Sequence, residues 1–183
     1  MARSSALRPL RPLDHKRLEE LALRYVGKYA TSRAKLISYL ARKLRERGWD
    51  ETREPDLEAL AIRFSNLGYV DDAAYALSKS RALSSRGYGK GRLKEKLRQA
   101  GIEEKDSVEA REHAQAQALD AALRYARRRR IGPFASETPD RATREKAIGA
   151  MVRAGHDLDL ARAIASLDPG EDQLSNLDQS VFS

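Results

Sequence analysis

The sequence predicts an all-α protein made of three tandem three-helix repeats, joined into an elongated array that is free to curve. Three observations predict it. Between a short head and a short tail, nearly all of the 183 residues follow a helical period. No alternating strand pattern competes with that period. The phrase LARKLRERGW (Leu40 to Trp49) returns as LKEKLRQAGI (Leu93 to Ile102) and more faintly as AIGAMVRAGH (Ala147 to His156). Within it, Gly48, Gly101 and Gly155 recur at intervals of 53 and 54 residues, the regular spacing of a repeated supersecondary unit.

Residues 1–15 hold Arg3, Arg8, Arg11 and two prolines without a helical period, and are expected to form a flexible basic tail. In the first repeat, 16–70, Leu18, Leu21, Ala22, Tyr25, Val26 and Tyr29 share one helical face. Leu36, Ile37, Leu40 and Leu44 share the face of a second helix, and Leu57, Leu60, Ala61 and Phe64 that of a third. Thr31 or Ser32 can cap the second helix, and Pro55 suits the first turn of the third. Asp71 can cap the helix that opens the second repeat, 71–115. The first helices also repeat, as ALRY at Ala22 to Tyr25 and again at Ala122 to Tyr125, which sets the third repeat at 116–167. Residues 168–183 are polar and somewhat acidic, and are expected to form a second flexible tail. No Gly or Pro falls between Ile102 and Ile131, so 103–130 can hold either one fused helix or two.

A glycine just past a helix can take the left-handed conformation that ends it, folding the next residue back onto the last turn. That register pairs Trp49 with Leu44, Ile102 with Leu97, His156 with Met151 and, at Gly68, Tyr69 with Phe64. Gly48, Gly101 and Gly155 are accordingly expected at equivalent helix ends. His156 is then a partly buried spacer.

Composition narrows the function. An apolar content of 41% that includes much Ala, with only 6% aromatics, argues against one thick core. Each small unit must instead gain stability from its neighbours. Lys and Arg outnumber Asp and Glu by 35 to 27, and the isoelectric point is about 9.8. Such a balance favours a polyanionic partner. No apolar run has transmembrane length, and MARSSALRPLRPLD lacks the apolar stretch of a signal peptide, so a cytoplasmic protein with no membrane partner is expected. There is no Cys, and the three His are far apart in sequence, which disfavours a metal. GYGKGR (Gly87 to Arg92) lacks the phosphate-loop spacing and carries Gly91 where Ser or Thr would hold magnesium. Asp71 and Asp72 fit a helix start better than a catalytic pair. No hydrolase motif or carboxylate dyad is present, so neither enzyme activity nor a cofactor is expected.

Basic residues carry the stronger signal. Six of them and a single acid lie between Thr31 and Arg47, where Lys35, Arg42 and Arg45 point away from the apolar face. From Ser78 to Lys94 there is no acid at all, while Arg81, Arg86, Lys90, Arg92 and Lys94 gather around glycines that could let backbone N–H groups approach phosphates. Arg127, Arg128, Arg129 and Arg130 form a third cluster beside IGPF. These twelve residues are the candidate phosphate contacts. With few exposed aromatics to stack bases, binding should depend little on sequence.

Two further stretches carry a resemblance: LGYVDDAAYA (Leu67 to Ala76) and SRALSSRGYGKGRLKEKLRQAGI (Ser80 to Ile102). With the spacing of Arg81, Gly89, Arg92, Leu93, Leu97, Gly101 and Ile102, they make residues 18–167 resemble the RecX family, regulators of the RecA recombinase. RRRRIGPF and MVRAGHDLDLARAI are similar to its alphaproteobacterial branch. The resemblance implies a non-enzymatic, monomeric protein that lies along the groove of the RecA–DNA filament and inhibits RecA recombinase and ATPase activity in DNA repair, recombination and the SOS response. Its partners would be the RecA filament and single- and double-stranded DNA. Two positions depart from the family pattern. Lys35 stands where many members carry an acid that completes a capping box, and His156 replaces the usual aromatic. The alternative is a helical-repeat adaptor that binds protein partners only, with no DNA contact.

Overall fold

Helix starts are set by short side chains that accept the first free N–H groups. Asp14 accepts from Arg17, Ser32 from Lys35, Asp56 from Ala59 and Asp140 from Thr143, each through a side-chain oxygen. Pro55 therefore stands just ahead of the cap of the third helix rather than in its first turn, because Asp56 is the better acceptor. The computed structural model describes residues 11–170, so the expectations for residues 1–10 and 171–183 lie outside it. Among the described residues there are nine α-helices: α1 His15–Lys28, α2 Arg33–Arg47, α3 Leu57–Asn66, α4 Asp72–Ser85, α5 Lys90–Gln99, α6 Val108–Ala116, α7 Ala118–Arg129, α8 Arg141–Arg153 and α9 Leu158–Ser166. Two single 3-10 turns, Lys105–Ser107 and Gly132–Phe134, lie between them. No strand occurs among the described residues, and the fold is an all-α helical repeat, as the sequence predicts.

The helices pack as two compact units, one ending at Asp72 and one starting at Ala73. In the first, Leu18, Ala22, Leu36, Leu40, Ala61, Phe64 and Val70 form the core, which is the apolar periodicity of α1, α2 and α3 turned inward. Leu13 joins them and is fully buried, although the sequence places it in a loose tail. Its N–H donates to the Gly48 carbonyl at 3.0 Å and its carbonyl accepts from Asp50 at 2.9 Å. An isolated parallel bridge between Leu13 and Trp49 results. The second unit has a small core around Ala76, Leu93, Leu97, Ala110 and Ala114, and a larger one around Tyr125, Ile131, Met151, Leu160 and Ile164. Alanines at the helix contacts let backbones approach closely, which is how a chain poor in aromatics still forms cores.

Four glycines end helices in the same way. The N–H after Gly68, Gly87, Gly101 and Gly155 reaches back to the carbonyls of Phe64, Leu83, Leu97 and Met151, and each glycine N–H reaches the carbonyl three residues before it. All four have positive φ, and the paired bonds are the Schellman pattern. Gly48 departs from the expected equivalence. It too follows its helix with φ 79°, but its ψ of 175° turns the chain into extended backbone, where Gly48 and Asp50 pair with Leu13. Arg130 ends α7 in the left-handed conformation at φ 55°, with the Ile131 N–H on the Ala126 carbonyl. Residues 103–130 hold two helices, parted at Gln117, which has φ −95° and ψ 8°. The Gln117 N–H still reaches the His113 carbonyl at 3.0 Å, so the break costs little hydrogen bonding.

Candidate nucleic-acid interface

In the second unit, GYGKGR joins α4 to α5, and its glycines serve the fold. Gly89 N–H donates to the Ala154 carbonyl at 3.1 Å and Gly91 N–H to the Gly155 carbonyl at 2.9 Å. Carbonyls at the cap of α8 and just past it thereby satisfy N–H groups at the cap and first turn of α5, and the two helix dipoles meet with opposite ends. A Cβ on Gly89 would stand 2.3 Å from the Gly155 oxygen, so no other residue fits there. This corrects the expectation that these glycines open backbone N–H groups to phosphates, because those of Gly89 and Gly91 are taken by α8. Phosphate contacts in this turn must come from side chains.

His156 follows the same junction. Its Nε2 lies 3.1 Å from the Gly87 carbonyl, so the Nε2–H tautomer donates, and its ring packs 5.5 Å from Tyr125. It is buried rather than partly so. Burial pushes its pKa below the usual imidazole value, against smaller opposing effects from the Gly87 carbonyl and Asp157.

All twelve candidate contacts are exposed. Arg86 and Arg92 flank the Tyr88 ring, their guanidinium carbons 5.7 and 6.0 Å from its centroid. Arg128 reaches the same turn from α7, its Nη1 donating to the Arg86 carbonyl at 2.7 Å. Two clusters separate in sequence thus become one. Arg127 stacks over Phe134 at 5.0 Å, while Arg128 and Arg129 lie 5.4 and 6.0 Å from the Tyr125 ring. Arg81 projects from α4 toward solvent. Lys90 is less available: its ammonium pairs with Asp157 at 2.7 Å and with Gln115 at 3.1 Å. Lys90 and Lys94 border an open groove of about 1390 Å³ whose apolar floor includes Leu93, Leu97, Ile102 and Val152.

The first unit carries Lys35, Arg42 and Arg45 on α2. Arg42 donates to Glu46 at 2.8 Å while lying 5.5 Å from the Tyr39 ring, and Arg45 sits in the last turn. Sequence reasoning missed the aromatic companions of this face. Tyr25 and Tyr39 stack with centroids 4.1 Å apart and planes 10° apart, and Tyr29 leans on Tyr25 at 5.4 Å. Tyr25 and Tyr29 share a helix face four residues apart, which the helical period alone assigns to the core.

Among the described residues, no group of three or more His, Cys, Asp or Glu could hold a metal ion, and no helix is long and apolar enough to cross a membrane. The family model for the second three-helix domain of RecX matches residues 71–110, which span α4, α5 and the start of α6. The regulatory protein RecX of Myxococcus xanthus (strain DK1622) is 30% identical over 169 residues, covering 83% of this chain and 86% of its own. The chain belongs to the RecX family. A RecX regulatory protein from Pseudomonas putida is 42% identical over 72 residues, 39% of this chain and 48% of that one. The fold agrees with two RecX crystal structures. One, of a regulatory protein RecX, has a TM-score of 0.58 and 23% identity, covering 81% of this chain and 70% of its own. The other, from Lactobacillus salivarius, has a TM-score of 0.59 and 17% identity, covering 89% of this chain and 96% of its own. RecX membership thus marks the chain as one of a regulatory family, and the arginines around Tyr88 lie in the region that the family model matches.

Proposed function

We propose that this chain binds the RecA–DNA filament and lowers RecA recombinase and ATPase activity, catalysing no reaction itself. It acts in the cytoplasm as a monomer, on single- and double-stranded DNA with little preference for sequence. Membership of a regulatory family supports the regulatory part. One observation carries the DNA part: Arg86, Arg92 and Arg128, drawn from α4–α5 and α7, converge on one turn and stay exposed. Among the described residues these three guanidinium groups face solvent without a carboxylate partner, and such groups fit phosphate oxygens as forked donors. The three-helix units at 16–70, 71–115 and 116–167 each bear basic residues, and several modest linked contacts become strong together through effective concentration.

The test is binding to a single-stranded oligonucleotide from roughly 50 to 200 mM salt, for the natural chain and for Arg81, Arg86 and Arg92 all replaced by Ala. Each lost phosphate contact should flatten the plot of log K against log salt by about 0.7. A variant with unchanged affinity and slope would leave those arginines as merely solvated charges.

A further inference from the structure

We infer that the tyrosine cluster between α1 and α2 is a stacking site for an unpaired nucleobase, which gives this face a preference for single-stranded nucleic acid. The inference rests on the DNA contact proposed above and adds a base-recognition element to it.

Tyr25, Tyr29 and Tyr39 line an open pocket of about 530 Å³, within the roughly 300–1000 Å³ of ordinary ligand clefts. The stacked rings of Tyr25 and Tyr39 hold the pocket in shape, and both are anchored against the hydrophobic core of the first unit. Tyr29 is different. It caps the end of α1, is 50% exposed, and is set against Tyr25 only by a tilted ring contact. Tyr29 thus presents half of a large aromatic side chain to water from a backbone position held at the end of α1, a surface that core packing does not explain.

The wall is cationic, from Arg24 and Lys28 on α1 and Arg42 and Lys43 on α2. Glu46 accepts from Arg42 at 2.8 Å and from Lys43 at 2.6 Å, and Glu20 stands 3.9 Å from Arg24. Among the described residues Lys28 has no carboxylate partner, and its ammonium lies 5.3 Å from the Tyr29 centroid. The Lys28 ammonium lies over the exposed Tyr29 ring, where a stacking base can take its place while the ammonium pairs with a flanking phosphate, so the site suits a ligand with both a π-face and phosphates. Single strands offer both, whereas the bases of a duplex are already stacked on each other. Stacking tolerates any base, because every base has a π-face.

The experiment uses the full chain and three labelled DNAs of equal length: a thymine strand, an abasic strand and a duplex. Tyr29→Ala should weaken binding to the thymine strand by about 5- to 150-fold, the range of one lost base–aromatic stack. Binding to the abasic strand and to the duplex should stay within about twofold of the natural chain, and Tyr29→Phe, which keeps the ring, should restore the thymine strand. An unchanged thymine-strand affinity in Tyr29→Ala overturns the inference, as does an equal loss on the abasic strand. Failure of the underlying DNA contact looks different: the natural chain then binds none of the three DNAs, and both ideas fall. If the Arg81, Arg86 and Arg92 variant binds normally while Tyr29→Ala does not, the stacking site stands and the arginine contact falls.

Discussion

Asp72 accepts the backbone N–H of Arg33 at 2.9 Å through one carboxylate oxygen and the Arg33 guanidinium, also at 2.9 Å, through the other. The first residue of α4 thus completes the N-terminus of α2. Ser32 caps α2 through the Lys35 N–H, and a lysine at that position cannot return a bond as an acid would. Asp72 supplies a carboxylate from 39 residues away instead.

Because the Asp72 side chain is only 5% exposed, its loss removes one well-sheltered carboxylate that accepts from both the Arg33 N–H and the Arg33 Nε–H in a part-buried setting. Asp72→Ala should lower stability by about 1–3 kcal/mol, seen as a lower midpoint in urea. Asp72→Asn, which keeps one acceptor, should cost less. Equal midpoints for Ala and the natural chain would show that water replaces the carboxylate without loss.

Gly68 and Gly155 end their helices with the same hydrogen bonds but in different surroundings. A Cβ at Gly68 meets nothing within 4 Å, whereas one at Gly155 would stand 2.3 Å from the Arg92 nitrogen. Gly68→Ala should therefore cost only the left-handed backbone penalty, about 1–2 kcal/mol. Gly155→Ala should cost clearly more, since it must also part α5 from α8. Thermal melts of the two variants compare them directly, and equal shifts would mean that the α5–α8 contact yields freely.

Local chemistry made much of this legible. The cap at Ser32, the inward faces of α1 to α3, and the helix ends at Gly68, Gly101 and Gly155 all follow from residue types within a turn or two of each other, whereas Pro55 places the start of α3 too early, ahead of the Asp56 cap. What stayed hidden depends on partners far along the chain. The sequence shows glycines at 89 and 91 but not that the end of α8 approaches them, so on sequence alone their N–H groups look open to phosphates. Leu13 sat among prolines and arginines, and only its pairing with Gly48 and Asp50 makes it core. Tyr25 and Tyr29 matched an apolar stripe, and Tyr39 stood apart from the positions assigned to the α2 core. Their packing alone separates the partly buried rings of Tyr25 and Tyr39 from the half-exposed ring of Tyr29.

His156 gives a pH prediction. Burial lowers its folded pKa below the unfolded value of about 6.5, so on acidification the unfolded chain takes up the proton first. Its contribution to stability is complete above about pH 6.5 and is lost as pH falls from there through the folded pKa. His156→Phe should remove this part of the pH dependence, although it also removes the bond to the Gly87 carbonyl. Urea midpoints between about pH 5 and 7.5 check it. Parallel profiles for the two proteins would show that His156 does not titrate differently on folding.

The most direct measurement of the proposed regulation is ATP hydrolysis by RecA on single-stranded DNA, titrated with this protein. The predicted result is a fall in rate at substoichiometric ratios, with replacement of Arg81, Arg86 and Arg92 by Ala shifting the titration to higher concentration. A rate that stays unchanged at molar excess of the natural chain, with RecA filaments intact, would contradict it.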